Sequence, residues 1–314
     1  MNRLDTSYHV IGKPDPKPQP PRMPDAPWTS KRLLQWTTTA FERKGIDSPR
    51  VCAEMLLAHV LGTPRLKLYM DPHRPASELE RAAFRELVER AMDDEPVDYL
   101  VGQAPFFSMM LKVNRAVLIP RPSTETLVEH VLQHARRTPG FASPRIADVG
   151  TGSGAIAVAL AKQFAKAGSD ATVIATDLHD DALIVARENA KLQGVADRID
   201  FRQGDLLEPL KGERLTYLVS NPPYIPDHEW DAVEPNVKDH EPTHALRGGA
   251  DGLDLVRPLI AGAKRLLADP GQLVVEIAAC QKQAVIDLAS EHGLRHPSVL
   301  VDHEKLPRVL VADR

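Results

Sequence analysis

DVGTGSGA, at residues 148–155, closes an apolar run at residues 145–149 that is typical of a β-strand. Its glycines let the backbone turn tightly and let a ligand approach the main chain, with the N-terminus of a helix behind the turn. A strand, a glycine-rich turn and a helix in this order are typical of nucleotide-binding α/β folds. The spacing also satisfies the G-x-G-x-x-A dinucleotide fingerprint, so this segment alone leaves the nucleotide open.

From this turn onward the chain alternates strands and helices, which is the pattern of a doubly wound, mostly parallel sheet. Seven strands are predicted, at residues 145–149, 171–176, 199–203, 215–220, 272–277, 298–302 and 308–312. Helices are predicted at residues 155–166, 180–192 and 253–267. The sequence therefore predicts an α/β domain of seven strands over residues 122–314.

Residues 27–96 have helical periodicity and are predicted to form a small domain. Ser30 is the predicted cap of its first helix, Ser48 and Pro49 open the second, and Ser77 with Glu80 form a capping box for the third. The inward faces are predicted to carry Leu33, Leu34 and Phe41, then Val51, Met55, Leu56 and Val60, then Leu79, Ala83, Phe84, Leu87 and Val88. No chemically reactive cluster is present, so we expect this domain to recognise a substrate.

Two segments flank the helical domain. Residues 1–26 are polar and proline-rich, and this composition predicts a flexible tail. Residues 97–121 predict a β-hairpin linker, with strands at 109–113 and 116–119 around Asn114-Arg115. Ser123 is then a predicted cap for a helix through His134. Arg121 and Glu125, beside it, form either a structural ion pair or a contact to substrate.

Composition excludes several classes of protein. The chain has 314 residues and a formal net charge of −4, which disfavours direct nucleic-acid binding. Cys52 and Cys280 are too few and too far apart for a disulfide framework or a zinc site. No apolar stretch has the length of a membrane span, and no secretory signal opens the chain. We therefore expect a cytoplasmic protein that has no membrane partner and binds no metal. We also expect it to be a monomer.

Acidic residues follow the next two predicted strands. Asp177 is suited to accept both ribose hydroxyls of an adenosine cofactor, which fits NAD and S-adenosyl-L-methionine (SAM) equally. Asp205 can accept from the adenine amine, and Leu206 can pack on the purine. Asp148 and the tight glycine spacing resemble the methionine-binding loop of class I SAM-dependent methyltransferases. The expected SAM site comprises Gly150, Thr151, Gly152, Ser153, Gly154, Asp177, Asp205, Leu206 and Asn221.

Asn221-Pro222-Pro223-Tyr224 ends the fourth predicted strand. Two successive prolines lack backbone donors and restrict φ, so this loop must be stiff. It is expected at the carboxyl edge of the sheet, where open α/β sheets bind ligands. An amide, proline-flanked carbonyls and an aromatic face suit a planar substrate that carries an NH2 group. The set resembles SAM-dependent methyltransferases acting on adenine N6, cytosine N4 or a glutamine amide.

Further motifs make the resemblance specific. They are residues 118–122 (LIPRP), Thr124-Glu125, 240–242 (HEP), Ala245-Leu246 and 248–253 (GGADGL). With the loops at 150–154 and 221–224, they resemble the protein-(glutamine-N5) methyltransferases that act on peptide chain release factors. The resemblance covers about residues 28–314. It implies a class I SAM-dependent methyltransferase fold, a small N-terminal helical domain joined by a β-hairpin, and class I release factors as substrate through their Gly-Gly-Gln loop.

The related methyltransferases of a large-subunit ribosomal protein usually read Pro-Arg-Ser-Pro where this chain has Pro120-Arg121-Pro122-Ser123, which favours the release-factor branch. Three features depart from the family pattern. Ser123 stands where Asp or Glu is usual, Ala278 replaces a usual glycine, and the N-terminal tail has no counterpart. None of the three touches the expected catalytic loop.

Direct methyl transfer to an amide nitrogen is the expected chemistry. The Asn221 side-chain oxygen and the Pro222 carbonyl can accept the two amide N–H bonds, and Tyr224 can pack on the amide plane. These three are the expected catalytic residues; Asn221, Pro222, Pro223, Tyr224, Arg121 and Glu125 are the expected substrate-binding residues. No base is needed before transfer, because the proton becomes acidic only once the methyl group is attached.

Four other interpretations stay open or are disfavoured. Residues 240–244 read H-E-x-x-H, the zinc-protease string, but Pro242 opposes the helix that this motif requires. Amino methylation of nucleic acid is disfavoured by the acidic charge balance. An NAD-dependent oxidoreductase would leave the loop at 221–224 unexplained. The only argument against a non-catalytic SAM-binding module is that the loop at residues 221–224 is intact.

Overall fold

The computed structural model describes residues 27–138 and 142–314. The predicted flexible tail at residues 1–26 lies outside this part of the chain. Two compact units are present, one ending at Val88 and the other running from Glu89 to Arg314. Within the described ranges, no helix is both long enough and apolar enough to cross a membrane.

The first unit is helical. Its helices are α1 (Ser30–Lys44), α2 (Pro49–Val60), α3 (Arg65–Met70) and the greater part of α4 (Glu78–Met92). The cap of α1 is Thr29, whose Oγ1 accepts from the Arg32 N–H at 3.4 Å, and Ser30 is instead the first helical residue. The predicted capping box of α4 is confirmed, since Ser77 and Glu80 exchange hydrogen bonds of 2.8 and 3.2 Å.

Two of the predicted inward faces are partly wrong. Val51 is 38% exposed and Leu79 is 83% exposed, and Ala83 is exposed as well. Leu56 of α2 and Phe84 of α4, which were also predicted to face inward, are buried in the core. Val51 and Leu79 each lie five positions before those anchors, which turns them about 140° round the helix and away from the core.

The second unit begins with the last turn of α4 and continues through α5 (Val97–Val101) into a hairpin of β1 (Gln103–Phe106) and β2 (Met109–Lys112). A hairpin was predicted, but its turn lies at Phe107-Ser108, where φ is +46° and +58°, and not at Asn114-Arg115. Residues 116–119 form no strand, because the Asn114 side chain accepts from the Ala116 N–H at 2.9 Å and starts a separate turn.

The remaining helices and strands complete the second unit. They are α6 (Glu125–Arg137), β3 (Arg145–Val149), α7 (Ala155–Lys166), β4 (Thr172–Asp177), α8 (Asp180–Leu192), β5 (Ile199–Gln203), β6 (Leu215–Ser220), α9 (Pro235–Lys238), α10 (Val256–Leu266), β7 (Leu267–Glu276), α11 (Lys282–Glu291), β8 (Arg295–Val301) and β9 (Pro307–Asp313). All seven predicted strands are present. Ser123 does not cap α6; it lies in a preceding 3₁₀ turn, and its hydroxyl donates to Glu276 Oε1 at 3.3 Å.

The sheet has the order β5-β4-β3-β6-β7-β9-β8, with β9 antiparallel to both of its neighbours. The predicted doubly wound, mostly parallel sheet of seven strands is therefore confirmed. The chain builds outward from β3 to β5 on one side, then returns to place β6 against the other side of β3. Ligands bind at such a switch point, at the carboxyl ends of the strands.

Both faces of the sheet are covered by helices. Alternate strand residues, such as Ile146 and Ala147, belong to two separate apolar cores. One core includes residues of α6 and α7, and the other includes residues of α10 and α11. Because both faces are buried in this way, the edge formed by the strand ends is left to build a site.

Candidate active site

A cavity of about 210 Å³ lies at the carboxyl ends of β3, β4 and β6. Nine of the predicted site residues line it: Gly150, Thr151, Gly152, Ser153, Asp177, Asp205, Leu206, Asn221 and Pro223. Five others, Gly154, Pro222, Tyr224, Arg121 and Glu125, do not. The structure thus brings together in one cavity segments that are more than seventy residues apart in sequence.

The glycine turn leaves room for a ligand against the main chain. Gly150 and Gly152 have φ values of +70° and +54°, and a Cβ at either position would meet no atom within 4 Å. Gly154 has a different reason to be glycine, since a Cβ there would lie 3.1 Å from Ala186 of α8. The turn is tied to the next strand by a 2.8 Å bond from the Thr151 N–H to the Thr176 carbonyl.

Asp148 is fully buried beneath this turn. Its Oδ2 accepts from the Thr151 hydroxyl at 2.7 Å and from the Ala157 N–H at 3.1 Å, which fixes the start of α7. Burial raises the pKa of its carboxyl to about 7. Its Oδ1, like the buried hydroxyl of Thr176 on the cavity wall, has no hydrogen-bond partner within the described ranges. Of these two atoms, the Thr176 hydroxyl lies on the cavity wall, where a ligand can complete its hydrogen bonds.

Asp177 ends β4 with both carboxylate oxygens anchored. Oδ2 accepts from the Gly152 N–H at 2.9 Å, and Oδ1 accepts from the His179 N–H at 3.0 Å. A carboxylate oxygen can accept more than one hydrogen bond, so acceptor capacity is left for a vicinal diol. The Gly204 N–H donates to the Asp177 carbonyl at 2.9 Å, which brings Asp205 and Leu206 to the same wall.

Two histidines also line the cavity: His179, which the sequence analysis missed, and His244, which belongs to the segment at residues 240–244. The rings of His179 and His244 are in contact, with centroids 3.8 Å apart and their planes tilted by 33°. Burial, and then the neighbouring His179, lower the pKa of His244. The one sequence signal for His179 was its position two residues after Asp177.

The H-E-x-x-H string forms no zinc helix. Residues 243–245 are a single 3₁₀ turn after Pro242, as the proline predicted. Glu241 is buried and accepts from the Ile119 N–H at 3.0 Å and from Arg121. In the part of the chain that the structure describes, no group of three His, Cys, Asp or Glu side chains could hold a metal ion.

The loop at residues 221–224 is held at both ends. Before it, the Ser220 hydroxyl donates to the Val149 carbonyl at 2.7 Å, which ties β6 to the glycine turn. After it, Ile225 pairs with the segment at 246–248 through hydrogen bonds of 3.0 and 2.9 Å. Inside it, Asn221 Nδ2 donates to Thr124 Oγ1 at 3.1 Å. The amide of Asn221 therefore has a defined orientation on the cavity wall.

The backbone of Tyr224 packs against the glycine-rich segment at residues 248–253. Its carbonyl accepts from Gln281 Nε2 at 3.2 Å, and Gly252 packs so closely on that carbonyl that a Cβ would collide with it. Burial raises the pKa of the Tyr224 hydroxyl to about 12, so the ring stays neutral. Pro222 is buried beside it.

Arg121 and Glu125 do not pair with each other, so the ion pair considered between them is wrong. Arg121 pairs with the buried Glu241. Glu125 Oε1 accepts from the Phe107 N–H at 2.7 Å, at the hairpin turn. Each side chain joins a different segment to the start of α6.

Asn189 of α8 holds the hairpin against the glycine turn. Its side chain exchanges hydrogen bonds of 2.6 and 2.9 Å with the backbone of Lys112 and donates to the Ser153 carbonyl at 2.8 Å. The sequence analysis missed this residue, and it named Thr124 only as part of a family motif and not as a site residue. A polar residue at a buried position of the helical period of α8 was the available signal for Asn189.

Two family models match the chain: the PrmC N-terminal domain over residues 32–102 and the Methyltransferase small domain over residues 122–239. The release factor glutamine methyltransferase of Rhodopirellula baltica is 41% identical over 86% of this chain and 90% of its own length. The enzyme of the same name from Moorella thermoacetica is 42% identical over 86% and 93%.

Among solved structures, the catalytic domain of hMettl16, in complex with MAT2A 3'UTR hairpin 6, is similar in fold. It has a TM-score of 0.52 at 16% identity, over 66% of this chain and 76% of that one. At this level of identity the similarity concerns the fold alone.

Proposed function

The chain belongs to the family of release factor glutamine methyltransferases, and from this premise we propose how its residues carry the reaction. The enzyme transfers a methyl group from SAM to the side-chain amide nitrogen of a protein glutamine. The substrate proposed here is the glutamine of the Gly-Gly-Gln loop in class I peptide chain release factors. The names of relatives that cover 86 to 90% of this chain support that substrate.

SAM is proposed to occupy the cavity at the strand ends. The turn at residues 150–154 would hold its methionine part, Asp177 its ribose hydroxyls, and Asp205 with Leu206 its adenine. Three observations support this fit: the open space above Gly150 and Gly152, the anchored Asp177 carboxylate and the unpartnered hydroxyl of Thr176. When bound, SAM supplies an electrophilic methyl group on a sulfonium.

Asn221 is proposed to hold the glutamine amide through its side-chain oxygen. The single observation that carries this proposal is the 3.1 Å hydrogen bond from Asn221 Nδ2 to Thr124, which leaves Oδ1 as the free acceptor of the amide on the cavity wall. An amide nitrogen is a weak nucleophile, because its lone pair is shared with the carbonyl. Accepting its N–H bonds orients the nitrogen and stabilises the positive charge that develops on it.

The other loop residues have supporting roles in this proposal. The Pro222 carbonyl accepts the second amide N–H, Pro223 shapes the cavity wall, and the Tyr224 ring packs on the amide plane. Because the pKa of the Tyr224 hydroxyl is raised to about 12 by burial, the ring stays neutral, which suits packing and not proton transfer. No general base is required, because the methylated nitrogen loses its proton readily. Arg121 and Glu125 are proposed to act on substrate only indirectly, since both are engaged with Glu241 and Phe107.

The helical domain at residues 27–96 is proposed to recognise the release factor, with residues 97–121 as linker and 122–314 as the methyltransferase domain. Three large apolar side chains of α3 support this role. Leu66, Tyr69 and Met70 are 70%, 55% and 75% exposed. Several large exposed apolar side chains on one short helix are typical of a protein-binding surface.

The proposed activity is tested by incubating the enzyme with methyl-labelled SAM and a class I release factor, followed by mass spectrometry of the Gly-Gly-Gln peptide. We expect one added methyl group on that glutamine. The matched control is the same release factor with the glutamine changed to alanine, which should take no label. Equal labelling of both proteins, or label on RNA in place of protein, would contradict the proposal.

A further inference from the structure

Thr124 lies between the catalytic loop and a buried carboxyl. It ends the 3₁₀ turn Pro122–Thr124, is 3% exposed and lines the cavity. Its Oγ1 accepts from Asn221 Nδ2 at 3.1 Å, across 97 residues of sequence. The proposed reaction gives Thr124 no chemical role, although this residue lies beside Asn221.

Glu276, at the end of β7, is fully buried on the other side of this turn. Its Oε1 accepts from the Ser123 hydroxyl at 3.3 Å. Burial raises the pKa of its carboxyl, while the charge of Arg308 and hydrogen bonding by Ser123 act in the opposite direction. The bond to Ser123 ties the turn to the end of β7, and Glu276 Oε2 has no hydrogen-bond partner within the described ranges.

A hydroxyl has one proton to donate and two lone pairs to accept with. The Thr124 oxygen uses one of these lone pairs to accept from Asn221 Nδ2. An asparagine amide has a donor end and an acceptor end of the same shape, so the end that meets Thr124 decides where the other end is directed. With its NH2 end held by Thr124, the Asn221 side chain has its oxygen available on the cavity wall.

We propose that Thr124, which accepts from the NH2 end of the Asn221 amide, is a positioning residue that keeps the Asn221 oxygen directed at the NH2 group of the substrate glutamine. This inference rests on the proposed function of Asn221. With the amide reversed, two NH2 groups would face each other, and the substrate nitrogen would be repelled. The orientation of one amide is therefore a condition for turnover, separate from SAM binding.

The test compares Thr124→Val, which keeps the shape and removes the hydroxyl, with Thr124→Ser, which keeps the hydroxyl. We expect Thr124→Val to lower kcat by about 10- to 100-fold, the scale of a misaligned reacting group. SAM affinity should not change, and Thr124→Ser should restore most of kcat. Thr126→Val is the matched control, because Thr126 lies two residues further along the chain and its buried hydroxyl has no partner in the described ranges. It should leave kcat unchanged.

A double-mutant cycle separates positioning from general disruption. In an Asn221→Ala background, Thr124→Val should cause no further loss, because the amide that it orients is gone. A further loss equal to that in the wild-type background, or a wild-type kcat for Thr124→Val, would overturn the inference. If Thr124→Val is unstable in thermal unfolding, Thr124→Ala takes its place in the same cycle. A wild-type enzyme that does not methylate glutamine would instead defeat the proposed function itself.

Discussion

The carboxylate of Asp177 accepts a hydrogen bond from the Gly152 N–H at 2.9 Å, so the end of β4 and the glycine turn after β3 form one structural unit. The His179 N–H holds the other carboxylate oxygen at 3.0 Å. Anchoring by two backbone donors means that the carboxylate is already oriented before a ligand arrives. A preorganised acceptor loses less entropy on binding than a mobile one.

Asp177→Ala should weaken SAM binding by about 10- to 100-fold, because hydrogen bonds to a charged group contribute about 1.5 to 3 kcal/mol. Calorimetry with SAM measures this directly. Asp197→Ala, at an exposed aspartate of the same domain, is the control and should bind SAM normally. Unchanged affinity in Asp177→Ala, or binding of NAD in place of SAM by the wild type, would contradict the cofactor assignment.

Gly252→Ala should disturb the catalytic loop. Gly252 has φ +77°, and its added Cβ would collide with the Tyr224 carbonyl. Gly212→Ala is the matched control, because Gly212 has φ +86° but open space around it. Both variants should lose about 1 kcal/mol of stability from backbone strain, and only Gly252→Ala should also lose activity. Chemical denaturation measures the stability of the two variants, and turnover measures their activity. Equal activity of the two variants would contradict this prediction.

Asp148 should make stability depend on pH. Burial raises the pKa of its carboxyl from 3.8 to about 7. At pH values between these two, the folded state keeps a proton that the unfolded state has released. The free energy of unfolding contributed by this group should therefore fall as pH rises from about 4 to about 7, by at most about 1.4 kcal/mol per pH unit, and be constant above that.

Asp148→Asn removes this titration while keeping an oxygen for Thr151 and Ala157. Urea denaturation of both proteins without SAM, at several pH values, gives their difference in unfolding free energy. That difference should change between pH 5 and 7 and be flat above pH 8. A difference that does not depend on pH would show that Asp148 is ionised throughout.

The exposed apolar side chains of α3 should matter for the protein substrate only. Leu66→Ser combined with Met70→Ser should raise KM for the release factor about tenfold, as expected for loss of apolar contacts at an interface. Turnover of a short Gly-Gly-Gln peptide and SAM affinity should not change. Leu79→Ser, at a residue 83% exposed on α4, is the control. An effect on the peptide as large as that on the release factor would show that α3 does not recognise the protein.

Much of the methyltransferase domain could be predicted from the sequence, because β3, β4 and β6 are short, largely apolar runs that end at or just before a glycine, an aspartate or an asparagine. The bounds predicted for β3, β5 and β6 agree with the structure, and so does the meeting of Gly150, Asp177 and Asn221 at one edge. That meeting follows from local signals alone, since parallel strands in one sheet bring their carboxyl ends together.

What the sequence could not predict depends on contacts between distant segments. The hairpin turn at Phe107-Ser108 uses two residues with positive φ and no glycine, so no local turn signal marked it. Thr124 and Glu276 lie 152 positions apart, and only the folded sheet brings both near Asn221. For the same reason, the sequence could not predict that Arg121 pairs with Glu241 and not with Glu125, which is nearer in sequence.

The central claim is that the oxygen of the Asn221 side chain holds the amide that receives the methyl group. It is tested most directly by single-turnover methyl transfer to a class I release factor at saturating SAM, with wild-type enzyme and Asn221→Ala. The account predicts a rate about 10²- to 10³-fold lower for Asn221→Ala, the scale of deleting one preorganised polar group from a transition-state site. A wild-type rate of glutamine methylation by Asn221→Ala would contradict it.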